Sequence, residues 1–213
     1  HAQTAAGRAF GFQVTFFRSR VDGTQAMTSR LAARQLLFAH AAITDVQGGQ
    51  LWHDERIARW NGAPGGAADA SLQDTDVRLS GWSFQRQAVG YTTHITGDDL
   101  RLDLRAETTQ PLLLQGHQGL SRKGPDAAQA SHYYSQPQLA VRGRLRPGGP
   151  VLSGRGWLDH EWSDELLAPG APQRLTGVRE AIHVSGTLAS EGVTQLFLST
   201  ASGDPAAATI TRT

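Results

Sequence analysis

The segment Gly154-Arg155-Gly156-Trp157-Leu158-Asp159-His160-Glu161-Trp162 sets two aromatics, two carboxylates and an imidazole within six consecutive positions. Such a group is costly to bury without partners. On a strand, Trp157, Asp159 and Glu161 share one face, and Leu158, His160 and Trp162 share the other. A second cluster, Ser131-His132-Tyr133-Tyr134-Ser135, alternates in the same way and puts His132 and Tyr134 on one face. Strands of a meander separated by one neighbour line the same lumen, so His132, Tyr134, Trp157 and Asp159 are expected to converge. That set suits acid chemistry on an apolar substrate. A carboxyl held among aromatics has its charged form destabilised and can act as an acid near neutral pH, and aromatic faces stabilise a developing cation.

Other chemistries find no support. The sequence has no Gly-x-Ser-x-Gly elbow, no phosphate-binding loop ending in Gly-Lys-Ser/Thr, and no Gly-x-Gly-x-x-Gly after a strand. His160-Glu161 begins like a zinc protease motif, but the second His is missing and a Gly-rich strand precedes it where a helix is needed. No metal or cofactor is expected. His53, His94, His117 and His183 read as structural. His40 stands apart because it interrupts the apolar strand Leu37-Phe38-Ala39-His40-Ala41-Ala42-Ile43, and it joins His160, Glu161 and Trp162 as a candidate ligand contact.

The elements that must position these residues are short and extended. Phe10, Phe12, Val14 and Phe16 alternate with Gly11, Gln13, Thr15 and Phe17, the period-two pattern of a half-buried strand. Further strands are predicted at Leu36 to Val46, Val77 to Phe84, Val89 to Ile95, Leu100 to Ala106 and Leu139 to Leu145. Thr96-Gly97-Asp98-Asp99 joins two of these as a hairpin. Gly at 24 of 213 positions, with nine Pro, agrees with many turns. Asp54 to Trp60 reads as about two helical turns, followed by a loop at Asn61 to Gly66, and Ser121 to Ala130 reads as a second loop. The pattern predicts an all-β antiparallel barrel or sandwich, with no βαβ rhythm.

A chain of 213 residues holds one large domain, or one and part of another. Zero Cys excludes disulfides and thiol catalysis and leaves the redox compartment open. Twenty basic residues against nineteen acidic ones give a net charge of +1 without charge runs, which argues against nucleic acid as a partner. No stretch approaches the ~18 apolar residues of a spanning helix. The chain opens on His1 with its only Met at position 27, so the natural start is expected to be lost and any signal peptide with it.

Phe10-Gly-Phe-Gln-Val-Thr-Phe-Phe-Arg, Phe38-Ala-His-Ala-Ala-Ile, His132-Tyr-Tyr-Ser-Gln-Pro-Gln-Leu and Gly156-Trp-Leu-Asp-His-Glu-Trp-Ser resemble, in this order, the lipocalin-like family of AttH proteins and carotenoid 1,2-hydratases. The resemblance covers about Ala9 to Leu167. It implies two consecutive lipocalin-like β-barrels, export to the periplasm or beyond, and, in the hydratases, addition of water to an acyclic carotene; other members are known only as predicted secreted hydrolases of unknown substrate. The family's Glu-Trp-Trp-Tyr strand, expected just before Ala9, is missing, and Gln173 to Thr213 lacks the pattern that opens the second barrel. The chain is therefore expected to be a fragment: residues 1–168 form a barrel short of its first strand, and residues 169–213 are a linker and the stub of a second barrel or an aberrant tail. Gly170-Ala171-Pro172 is the predicted linker, Val193 to Leu198 a further strand, and Ser202 to Thr213 a frayed end.

Two functions follow. In a hydratase acting on an isoprenoid alkene, the resemblance gives Asp159 the protonation of the double bond, Trp157 and Tyr134 the flanking of the tertiary cation, and His132 the orientation or deprotonation of water. In a carrier, the same lumen holds an isoprenoid or lipid-like molecule without chemistry.

Overall fold

The structure, a computed structural model, describes residues 8–29, 31–145 and 151–163, and the backbone of 178–189. The described residues hold thirteen strands: β1 (Ala9–Arg20), β2 (Gln35–Asp45), β3 (Gln50–Trp60), β4 (Ala68–Ala70), β5 (Asp76–Leu79), β6 (Trp82–Gln87), β7 (Gly90–Thr96), β8 (Arg101–Glu107), β9 (Leu113–Leu114), β10 (Leu120–Arg122), β11 (Ala130–Arg144), β12 (Leu152–Trp162) and β13 (Val178–Ala189). Among the described residues the only helical element is a single 3-10 turn at Asp22–Thr24. The strands form one antiparallel sheet in the order β3-β2-β1-β13-β12-β11-β8-β7-β6-β5-β4, with β9 and β10 both paired to β11. The sheet curls into a half-barrel, as the all-β reading requires.

Alternation builds the interior. Phe12, Val14 and Phe16 of β1 are buried beside Leu37, Ala39, Ala41 and Ile43 of β2, while the residues between them face out. Trp82 and Phe84 of β6, Leu102 and Leu104 of β8, Leu139 and Val141 of β11, and Leu158 of β12 meet them from the other side of the curl. The curl brings β3 over β6 and β7: the Arg56 guanidinium lies 5.0 Å from the Trp82 ring centre, and the Trp82 indole N–H donates to the Thr96 carbonyl at 2.7 Å. The β7–β8 hairpin has the expected connection, with Tyr91 opposite Ala106 and Ile95 opposite Leu102. At its far end Gly90 has φ +90°, and a side chain there would strike the Ala106 carbonyl.

Four expectations change. Asp54 to Trp60 is the second half of β3, not a helix. It is the last strand at one margin of the sheet, and its alternation is masked because the outward positions His53, Glu55 and Arg59 and the inward positions Asp54 and Arg56 are all polar. Val77 to Phe84 is two strands: Ser80 and Gly81, at φ 49° and 87°, make a two-residue turn with both central residues left-handed, as a tight hairpin demands. The predicted strand at Leu139 is continuous with the His132 cluster, both belonging to β11. Finally, part of the segment read as linker, stub or tail lies inside the barrel sheet. β13 pairs with β1 on one side and β12 on the other, filling the gap between strands that hydrogen bonds alone can bridge. Gly170-Ala171-Pro172, Val193 to Leu198 and Ser202 to Thr213 lie outside the described residues.

Candidate functional site

The hairpin of β11 and β12 carries nearly all the chemistry-bearing residues, and its register sorts them. His132 stands opposite Trp162, Tyr134 opposite His160, Tyr133 opposite Glu161 and Ser135 opposite Asp159. Directly opposed residues of an antiparallel pair share a face. His132, Tyr134, His160 and Trp162 therefore lie on the inner face with Leu158, which is fully buried in the core. Trp157, Asp159 and Glu161 lie on the outer face with Ser131, Tyr133 and Ser135. The expected convergence of His132, Tyr134, Trp157 and Asp159 does not occur. The two motifs sit on adjacent strands, not on strands separated by a neighbour, so register alone decides which residues meet.

The inner group is an aromatic and imidazole cluster. The His132 and Trp162 rings stack with centres 5.4 Å apart, and His160 lies 5.1 Å from both Tyr134 and Trp162. His160 Nδ1 and the Tyr134 hydroxyl share a hydrogen bond of 2.9 Å. Tyr134 also bonds the Tyr91 and Thr75 side chains, and burial pushes its phenol well above the ordinary tyrosine range, with Tyr91 pushing the same way. Tyr91 and Thr75 are buried, whereas His132 and Trp162 are exposed. The cluster thus runs from the packed core to solvent. Its open end presents apolar ring faces, and its closed end presents a fixed chain of hydroxyls.

The outer group is a polar clamp. Asp159 Oδ1 accepts from the Trp157 indole N–H at 2.9 Å and from the Ser135 hydroxyl at 2.6 Å, and the Ser135 oxygen in turn accepts from Gln115 Nε2 at 2.8 Å. Tyr133 bonds the same carboxylate; burial first, and the Asp159 charge second, hold its phenol high. Glu161 accepts from the Ser131 hydroxyl at 2.5 Å and pairs with Lys123 Nζ at 2.5 Å, while that ammonium lies 5.3 Å from the Tyr133 ring centre. Gln115 and Lys123 come from the segment carrying β9 and β10, so these bonds hold that segment on the outside of the hairpin. Ser131 and Ser135 are fully buried beneath it.

His40 is also on the outer face, on β2, three strands from β12. It pairs across the sheet with Thr15 and Glu55, lies 3.2 Å from Gln13 Nε2 and is tilted against Phe17 at 5.5 Å. Burial lowers its pKa, and Glu55 opposes that in part. Of the proposed ligand contacts, then, His160 and Trp162 stand together with His132 and Tyr134, whereas Glu161 belongs to the clamp and His40 to a separate outer patch. Sequence reasoning missed Tyr91 and Thr75, which extend the inner hydroxyl chain. Tyr91 was visible as an inward residue of β7, but nothing in the sequence tied it to Tyr134.

No helix among the described residues is long and apolar enough to cross a membrane. No curated protein sequence gives a significant match to the chain. A crystal structure of a candidate AttH protein from Nitrosomonas europaea is similar to it, with 38% identity and a TM-score of 0.59 over 79% of this chain and 55% of that one. The chain spans about half the length of that protein. The AttH-like family matches residues 1–173, which include every side chain of both clusters. On that match and that likeness, the chain belongs to the AttH-like family.

Proposed function

We propose that this chain is a lipocalin-like binding module that takes an apolar small molecule, isoprenoid or lipid-like, with one end against His132, Tyr134, His160 and Trp162. The observation that carries the reading is the composition of the inner cluster, with ring faces at the open end and a hydrogen-bonded imidazole and phenol behind them. A ligand pocket is typically apolar with a few placed polar groups, and this arrangement matches that description. A ligand hydroxyl or carbonyl would meet His160 and Tyr134 while its hydrocarbon body lay along the rings.

The finer reading, hydration of an isoprenoid alkene, needs a strong acid on the same face. Asp159 accepts bonds from Trp157 and Ser135 on the outer face, and the inner phenol is a weaker acid than free tyrosine. Both facts favour binding over proton transfer to carbon. For compartment, the proposal is export to the periplasm or beyond, supported by family membership alone.

Titration with an acyclic terpene alcohol, followed by tryptophan fluorescence and by analysis for a hydrated product, tests the reading. We expect saturable quenching with no product, affinity about tenfold weaker in Trp162→Ala, and affinity little changed in Asp159→Asn. A hydrated product formed by the unaltered chain and lost in Asp159→Asn would reject the carrier and restore the hydratase.

A further inference from the structure

Away from the hairpin clusters, the outer faces of β6, β7, β8 and β11 form a shallow groove enclosing about 490 Å³. Its polar side chains fall into two cross-strand rows. In the first, Ser83, His94, Asp103 and Arg144 stand opposite one another in turn. A carboxylate sits among the cations there, since Asp103 bonds His94 and also Arg101, at 3.3 Å from its Nε. The second row is Gln85, Thr92, Arg105 and Arg142. It contains two guanidinium groups directly opposed, and the carboxylate that ends the row, Asp76, stands beyond Gln85 and accepts from its Nε2 at 3.0 Å.

Like charges directly opposite on antiparallel strands destabilise the pair. Arg105 has a partial outlet in Glu107, whose Oε1 lies 3.1 Å from its Nε, but both side chains are at least half exposed and such a pair is weak. Arg142 is exposed and has no partner among the described side chains. Two planar five-donor forks facing one groove, with the Thr92 hydroxyl beside them, form a set that an oxyanion completes.

We propose that this groove is an anion site, in which a phosphate group is held between Arg105 and Arg142 and relieves their mutual repulsion. The Thr92 hydroxyl, whose oxygen accepts from Gln87 Nε2 at 3.1 Å, donates a neutral hydrogen bond at its edge. The phosphate can be that of a free phosphate or of a phospholipid headgroup, and the two sources are separable by experiment.

Thermal unfolding is measured with inorganic phosphate, against sodium chloride of equal ionic strength, for the unaltered chain, Arg142→Gln, Arg105→Gln and the control Arg20→Gln, whose arginine pairs with Asp22 at the end of β1, outside the groove. Phosphate should raise the midpoint of the unaltered chain and of Arg20→Gln beyond the chloride control. It should lose that excess in Arg142→Gln and Arg105→Gln, with phosphate affinity at least about tenfold weaker. Without anion, Arg142→Gln should unfold no lower than the unaltered chain, because it removes a repulsion. Cosedimentation with phosphatidylglycerol vesicles, absent with phosphatidylcholine vesicles and lost in Arg142→Gln, would support the headgroup source. Equal phosphate responses in all four proteins together with vesicle binding indifferent to Arg142, or an anion-free Arg142→Gln less stable than the unaltered chain, would overturn the site.

Discussion

The two faces of the β11–β12 hairpin are built from the same residue types and do different things. Each face has Tyr as well as ionisable groups and at least one Trp. On the inner face the rings contact each other, one hydroxyl chain runs inward, and the outermost members stay open to solvent. On the outer face a carboxylate gathers its donors, and a second carboxylate is held by Ser131 and Lys123. With these donors engaged, the outer carboxylates have less to offer a ligand than the open rings of the inner face. Composition therefore does not distinguish the two faces, whereas the contacts each group makes and the direction of exposure do.

Three measurements press on this contrast. The largest effect is expected at Leu158, which anchors the inner face in the core. Leu158→Ala should lower stability by about 3 kcal/mol, read by chemical denaturation, and a loss below about 1 kcal/mol would mean that β12 is not anchored through its inner face. Next comes Asp159→Asn, which puts an amide N–H among donors that need an acceptor. A loss of about 2 kcal/mol is expected, together with faster proteolysis within 113–129; a variant as stable as the parent would show that the clamp contributes nothing. The smallest effect concerns the outer patch at His40. Its folded pKa lies below the ordinary 6.5, so the unfolded chain takes up a proton first as pH falls, and stability declines from about pH 6.5 down to the lowered value. His40→Gln should flatten that slope in a series of unfolding curves, and an unchanged slope would assign it to other groups.

Much of the frame was readable because alternation is a local property. Phe10 to Phe17 and the Tyr91 and Leu102 strands announce themselves, since one face of each is apolar and the other is not. β3 escaped because polar residues occupy both of its faces over Asp54 to Arg56, which removes the period-two signal and leaves helix-forming Glu, Arg and Ala to suggest another structure. The site was half legible for a related reason. The alternation of each motif gave the correct parity, with His132 and Tyr134 together and Trp157, Asp159 and Glu161 together. Which group faces the core depends on β11 and β12 being neighbours in one particular register, shifted between Gln136 and Leu139, and that is a property of two segments at once. Lys123 and Gln115 were invisible for the same cause: only the folded hairpin gives their loop something to hold.

The position of β13 has a consequence for how the molecule is made. β1 is the first of the described strands, and one of its two sheet neighbours, β13, is the last of them. Contacts between such distant parts of a chain slow folding, because a long loop must close before any of them forms. During synthesis, β1 and β2 can pair as soon as they emerge, but the sheet on the other side of β1 must wait until residue 189 has left the ribosome. Folding of the half-barrel is then limited by late arrival of a central strand, and its rate should depend on the stretch from Val178 to Ala189 more steeply than on any of the short hairpins.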